Sequence, residues 1–158
     1  MTLATMALKL PFAGRNEPDS IAKTQRGNVS FDPTSKKQHI LVIDDEAHIC
    51  ELLETYFVKH GYAVTTAFTS AEGVRVADEV PVHLIILDVV LPDADGLKLL
   101  ADLKQAHPQL PIIIMTGIGF DEELLQEAMR SGASGYVSKT LPLEQLLMEV
   151  HRTLKFRK

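Results

Sequence analysis

A single cysteine, Cys50, occurs in the 158 residues, which excludes an internal disulfide and any metal site built from several cysteines. Cys50 falls in a segment with helical spacing, so it reads as a buried packing residue. No apolar stretch approaches the ~20 residues that a membrane-crossing helix needs. The apolar N-terminus, "MTLATMALKLPFAG", lacks a preceding positive segment and is not read as a secretory signal. Acidic residues are absent before Glu17, and only this leaves a transit-like or membrane-touching role open as a weak alternative.

Charge is unevenly distributed. Residues 1–38 carry six Lys/Arg against three acids, a net of +3, and residues 39–158 carry ten against eighteen, a net of −8. An acidic body does not suit direct nucleic-acid binding. Residues 1–38 show little periodicity and are punctuated by Pro11, Gly14, Pro18, Gly27 and Pro33. We read them as a largely disordered extension, with one short helix near Thr2–Leu10, and residues 39–158 as the folded domain.

From His39 onward, five short apolar runs alternate with segments of helical spacing. The runs are Ile40–Ile43, Ala63–Ala67, Leu84–Leu87, Ile112–Met115 and Tyr136–Val137. Most are continuously apolar, as parallel strands covered on both faces must be. Ile49, Leu52, Leu53, Tyr56 and Phe57 trace one face of a first helix, stopped at Gly61. Thr69 and Glu72 have capping-box spacing at the start of a second. Leu99, Leu100 and Leu103 mark a third. A fourth is expected to open at Asp121, with Phe120 and Leu125 spaced as a hydrophobic staple, and to end at Gly132. Leu143, Leu146, Leu147, Val150 and Leu154 mark the last. Repeated strand–helix units predict an α/β fold with an open parallel sheet and helices on both sides. Function in such sheets lies beyond the carboxyl ends of the strands.

Those ends carry a particular chemistry. The first strand ends in Asp44 and Asp45, the third in Asp88, the fourth in Thr116 and Gly117, and the fifth in Lys139. The apolar run Leu84–Leu87 is expected to deliver Asp88 to the sheet edge, where burial ends. Singly, each residue has an ordinary explanation as a turn former, a cap or a solvated charge. Their joint placement at successive strand ends points to a site. Three clustered carboxylates repel by ~4 kcal/mol per close pair at an effective dielectric near 20. A cation relieves this, and an all-oxygen set without His or Cys suits a hard ion such as Mg²⁺. A metal plus the Lys139 ammonium is more positive charge than a structural site requires, so a phosphoryl group on one carboxylate is the expected further anion.

In combination, "DD" at Asp44-Asp45, "LDVVLPDADG" at Leu87–Gly96, "MTG" at Met115–Gly117 and "SGASGYVSK" at Ser131–Lys139 resemble the receiver domain of two-component response regulators, over roughly residues 38–156. The resemblance implies a flavodoxin-like, doubly wound five-stranded parallel sheet of order 2-1-3-4-5 with five helices; the chemotaxis receiver is a standard example of that order. It implies that Asp88 accepts a phosphoryl group from a phosphohistidine of a sensor kinase or histidine phosphotransfer protein. It implies Mg²⁺ (or Mn²⁺) held directly by Asp45, Asp88 and the backbone carbonyl of Val90, with Asp44 acting largely through water. Thr116 and Lys139 would contact phosphoryl oxygens, and Gly117 would leave them room. Thr116 and Tyr136 would form the switch that reshapes the face of the fourth helix, fifth strand and fifth helix for an effector protein. A cytoplasmic signalling protein rather than an enzyme acting on other substrates is implied, with a homodimer left open. Position 90 supports this, since a phosphatase of the DxD type would place its second acid where Val90 stands.

One departure is plain: the family usually has proline after the lysine, often with a cis bond, and here Thr140 follows Lys139. A cis Lys139–Thr140 bond would cost ~2.5–4 kcal/mol, so a trans or a strained bond is expected and the reach of Lys139 is the open point. Two alternatives stand beside the phosphoacceptor: a receiver-like interaction module that is never phosphorylated, and a receiver cut from a larger regulator.

Overall fold

The computed structural model describes residues 33–34 and 36–156, so the expectations for residues 1–32, including the helix near Thr2–Leu10, lie outside the described residues. Among the described residues the order is β1 (His39–Ile43), α1 (Ala47–Lys59), β2 (Ala63–Ala67), α2 (Ser70–Glu79), β3 (Leu84–Asp88), α3 (Gly96–Ala106), β4 (Ile112–Thr116), α4 (Glu122–Arg130), β5 (Gly135–Ser138) and α5 (Leu143–Lys155). The strands form one parallel sheet of order β2-β1-β3-β4-β5. This is the flavodoxin-like arrangement expected from the sequence.

Side chains on a strand alternate between faces, so a fully apolar strand feeds two cores. Leu41, Ile43, Ile85, Leu87, Ile112 and Ile114 face α2, α3 and α4, where Val76, Leu100, Leu103 and Ala128 meet them. Ile40, Val42, Leu84, Ile86, Ile113 and Met115 face α1 and α5, where Cys50, Leu53, Phe57, Leu146 and Val150 meet them. Cys50 is thus the packing residue its position suggested. At about 25 cal/mol per Å² of apolar surface removed from water, these two layers are the main source of stability.

Side chains terminate the helices as their sequences imply. Thr69 accepts a hydrogen bond from the Glu72 backbone N–H, and the Glu72 carboxylate accepts from the Phe68 N–H. Asp95 caps α3 and Asp121 caps α4 through the N–H groups of Leu97 and Leu124. Asp93 was not anticipated in such a role: from the loop after β3 it accepts hydrogen bonds from Ser70 and the Ala71 N–H at the start of α2. The staple at α4 is a correction, because Phe120 is 78% exposed and seals nothing.

Two backbone features set the site's frame. Registers Ile43↔Leu87, Asp88↔Met115 and Thr116↔Ser138 bring the C-terminal ends of β1, β3, β4 and β5 level. At Gly96, the N–H donates to the Val89 carbonyl at 3.0 Å, and Val90 and Asp95 form an antiparallel bridge. A Cβ there would lie 2.4 Å from the Val89 carbonyl oxygen, so this close approach requires glycine.

Candidate functional site

Asp88 is the last residue of β3, and Asp44 follows β1 directly. Both are buried, at 3% and 0% exposure. The expectation that burial ends before Asp88 is therefore corrected: the dry interior extends over the carboxylates themselves. Asp88 Oδ1 accepts from the Val90 N–H at 3.1 Å, and Asp44 Oδ1 accepts from the Glu46 N–H at 2.8 Å. Each acid keeps its second oxygen for the centre of the site.

Lys139 fills that centre. Its Nζ donates to Asp88 Oδ2 at 2.8 Å and to Glu46 Oε1 at 2.7 Å. It also lies 2.8 Å from Asp44 Oδ2. This last contact is an ion pair without good hydrogen-bond angles, since Asp44 Oδ2 has no hydrogen-bond partner. Burial works against the charge on Lys139, but its contacts with Asp44, Asp88 and Glu46 outweigh it and hold the ammonium above its usual range. Burial also pushes the Asp44 carboxyl up, and Lys139 and the Glu46 N–H offset only part of that rise. Glu46, on the rim, is pulled below the usual carboxylate range by its Lys139 hydrogen bond.

The Lys139–Thr140 bond is trans. Local hydrogen bonds hold the turn without proline: the Ser138 hydroxyl accepts from the Thr140 N–H and pairs with the Thr140 hydroxyl at 2.8 Å. The Lys139 N–H donates to the Thr116 carbonyl at 2.8 Å, which ties the lysine's backbone to β4. Its reach to Asp88 is thus intact.

Thr116 is fully buried beside this cluster, and its hydroxyl oxygen accepts from the Ile118 N–H at 3.0 Å. Gly117 is exposed, and a Cβ there would meet only Lys139 Cδ, at 3.5 Å, so its open space borders the lysine stem. Val90 and Ile118 stand exposed on the rim. Tyr136, paired with Ile114 in the sheet, is half-buried with its hydroxyl enclosed and without a hydrogen-bond partner; burial, with Asp121 nearby, raises its pKa. It borders a groove of about 610 Å³ that Leu125, Met129, Arg130 and Arg152 also line.

The carboxylates of Asp44, Glu46 and Asp88 offer oxygens within 4.8 Å of one another. Three negative charges against one ammonium leave the group at −2, and every donor is a hard oxygen. That set fits a divalent ion of the Mg²⁺ kind. Asp45 is the one expected carboxylate ligand outside this cluster; its side chain is exposed. Glu46 was not foreseen, because its contact depends on a lysine 93 residues away in sequence.

Comparison with known proteins agrees with this arrangement. The sequence profile of the response regulator receiver domain matches residues 40–151. The transcriptional regulatory protein YkoG of Bacillus subtilis, itself described as uncharacterized, is 32% identical over 76% of this chain and 52% of its own length. Protein PetR of Rhodobacter capsulatus is 32% identical over 74% of this chain and 48% of its own. The chain thus spans about half the length of these curated relatives. Among solved structures, a CheY-like receiver domain protein from Methanospirillum hungatei is 26% identical with a TM-score of 0.73, covering 77% of this chain and 96% of that one. The receiver domain of NtrX from Brucella abortus is 31% identical with a TM-score of 0.70, covering 74% and 98%. Fold, strand-end chemistry and sequence agree, and the chain belongs to the response regulator receiver domains of two-component signal transduction.

Proposed function

We propose that this receiver takes a phosphoryl group onto Asp88 from a phosphohistidine of a sensor kinase or histidine phosphotransfer protein. An Asp88 oxygen forms the new O–P bond, the P–N bond breaks, and the imidazole leaves with the electron pair and takes up a proton. The observation that carries this reading is the buried Asp88 carboxylate, with one oxygen on the Val90 N–H and the other on Lys139 Nζ at 2.8 Å. The two contacts fix the carboxylate's orientation, and burial limits competition from water.

Asp44, Asp45 and Asp88, with the Val90 carbonyl, would hold Mg²⁺ or Mn²⁺, Asp45 joining from the exposed rim. The ion, when bound, neutralises charge that builds on the transferred group. Lys139 supplies a donor to one phosphoryl oxygen and the Thr116 hydroxyl to another, while Gly117 leaves their approach open. As Thr116 engages the phosphoryl group, Tyr136 turns and reshapes the α4–β5–α5 face, where an effector protein reads the change. The groove beside Tyr136 is the physical basis for that readout. The setting of this chemistry is the cytoplasm, where phosphohistidine donors of two-component systems work. No helix among the described residues is long and apolar enough to cross a membrane.

A second reading, the receiver segment of a longer regulator, is favoured by the half-length match to YkoG and PetR. It leaves the chemistry at Asp88 unchanged. The test is intact mass after incubation with Mg²⁺ and acetyl phosphate: wild type gains one phosphoryl group and Asp88→Asn gains none. If both stay unlabelled under conditions that label another receiver, the protein is a non-phosphorylated interaction module.

A further inference from the structure

The ammonium of Lys139 has three N–H donors, and three carboxylates stand 2.7–2.8 Å from it. Two donors are engaged, by Asp88 Oδ2 and Glu46 Oε1, and Asp44 Oδ2 pairs with the ammonium by charge, so three carboxylates enclose it before phosphorylation. A phosphoryl oxygen that comes to Lys139 must compete with these carboxylates for the ammonium. Asp44 is buried, so its carboxylate, if released, would stay largely unhydrated, and Asp88 carries the phosphoryl group itself. Glu46 differs: its side chain is 45% exposed, and water can replace the ammonium at no comparable cost.

We infer that Glu46 is a positioning residue that holds Lys139 over the Asp44–Asp88 pair in the resting protein and yields its donor to the incoming phosphoryl group. This rests on the proposed phosphorylation of Asp88. Glu46 thereby slows phosphorylation without taking part in the transfer. Its resting geometry is that of a partner for Lys139: Glu46 Oε1 is bonded to Nζ, and Oε2 faces His48 at 3.5 Å. In the phosphorylated protein Glu46 is released, so its removal affects formation of the phosphoryl group far more than loss.

The test compares the full chain as wild type, Glu46→Gln and Glu46→Ala in three measurements. First, surface acetylation with acetic anhydride, followed by peptide mass spectrometry, is run without metal or phosphodonor. Lys139 should react several-fold faster in E46A than in wild type, while Lys98, exposed on α3, serves as reference. Equal reactivity of Lys139 overturns the inference whatever happens at Asp88. Second, phosphoramidate and Mg²⁺ label Asp88, its P–N bond breaking as Asp88 O–P forms and ammonia departs. An exposed ion pair of this kind corresponds to a rate gain of about two- to fivefold on removal. The order should be wild type, then E46Q, then E46A, because a glutamine carbonyl still accepts weakly from Nζ. Equal rates in the two neutral variants would assign the effect to through-space charge alone and refute the contact. Decay of the phosphoryl group should stay within about twofold of wild type. Third, calorimetric Mg²⁺ affinity should change little. A tenfold or greater loss in both variants makes Glu46 a metal ligand and overturns the inference. Failure of wild type to label, with Lys139 reactivity rising as expected, would remove the phosphorylation reading and leave the resting contact established.

Discussion

Replacing Asp44 by asparagine should stabilise this protein in the absence of a divalent ion, although it removes one side of an ion pair. Asp44 Oδ2 lies 2.8 Å from Lys139 Nζ, an attraction of ~6 kcal/mol at an effective dielectric near 20. Against it stand Asp88 and Glu46, whose nearest offered oxygens lie within 4.8 Å. Asp88 repels Asp44 by ~3.5 kcal/mol or more on the same scale, and exposed Glu46 adds little because water screens it. The repulsion offsets much of the attraction, and the cost of keeping a fully buried carboxylate ionised remains. That cost is what raises the Asp44 pKa. The asparagine amide would retain an acceptor for the Glu46 N–H, so the gain should be about 1–3 kcal/mol, or roughly 3–15 °C in Tm for a domain of this size.

The pH dependence follows from the direction of the shift. The unfolded chain releases this proton near ~3.9, and the native protein holds it to higher pH. The penalty is therefore absent below the unfolded value, grows as pH rises between the two values, and is complete above the folded one. Thermal melts in EDTA should show D44N above wild type at pH 7, with the gap closing toward pH 4. Excess Mg²⁺ should also narrow it, since the ion stabilises the wild type in proportion to its binding. A D44N protein that melts at or below wild type at pH 7, or a gap indifferent to acid, would refute the electrostatic account.

Other consequences are open to similarly direct checks. Gly96→Ala should lower Tm by roughly 5–15 °C, a cost of about 2–3 kcal/mol from forcing a Cβ against the Val89 backbone, whereas Gly119→Ala, with nothing within 4 Å, should be neutral or slightly stabilising. Differential scanning calorimetry separates the two, and equal effects would discredit the close approach at Gly96. Val90 and Ile118, exposed two residues beyond Asp88 and Thr116, would stand between water and the proposed phosphoryl group on Asp88. Exchanging both for polar residues should shorten its lifetime at least several-fold, measured as loss of the phosphoryl mass after donor removal, and an unchanged decay rate would reject this role.

Much of the fold was legible because β1, β3 and β4 are runs rich in Ile, Leu and Val that suit a doubly covered sheet. Asp44, Asp88 and Thr116 were equally legible, since each closes such a run; Lys139 follows the shorter, mixed strand β5, and parallel strands put all these ends together. Three features were not. Glu46 lies beyond its strand, and only the path of the lysine stem from β5 decides that it is a partner. Asp93 reaches the start of α2 across a loop whose course depends on the Val89–Gly96 contact. Phe120 has the right spacing for a staple, but spacing does not reveal that its ring stands in solvent. In each case the missing information is where an irregular segment runs.

That contrast between segments divides the labour around Asp88. The loop from Val89 to Asp95 is pinned at its base by Gly96 and the Val90–Asp95 bridge, and at its tip by Asp93 on α2. Residues 117–120 are exposed, and Ile118 is moored to the hydroxyl of Thr116. One side of the cleft is thus a fixed jaw. The other is moored through the Thr116 oxygen, whose hydroxyl proton would be donated to the proposed phosphoryl group, so that contact would bear directly on this side of the cleft.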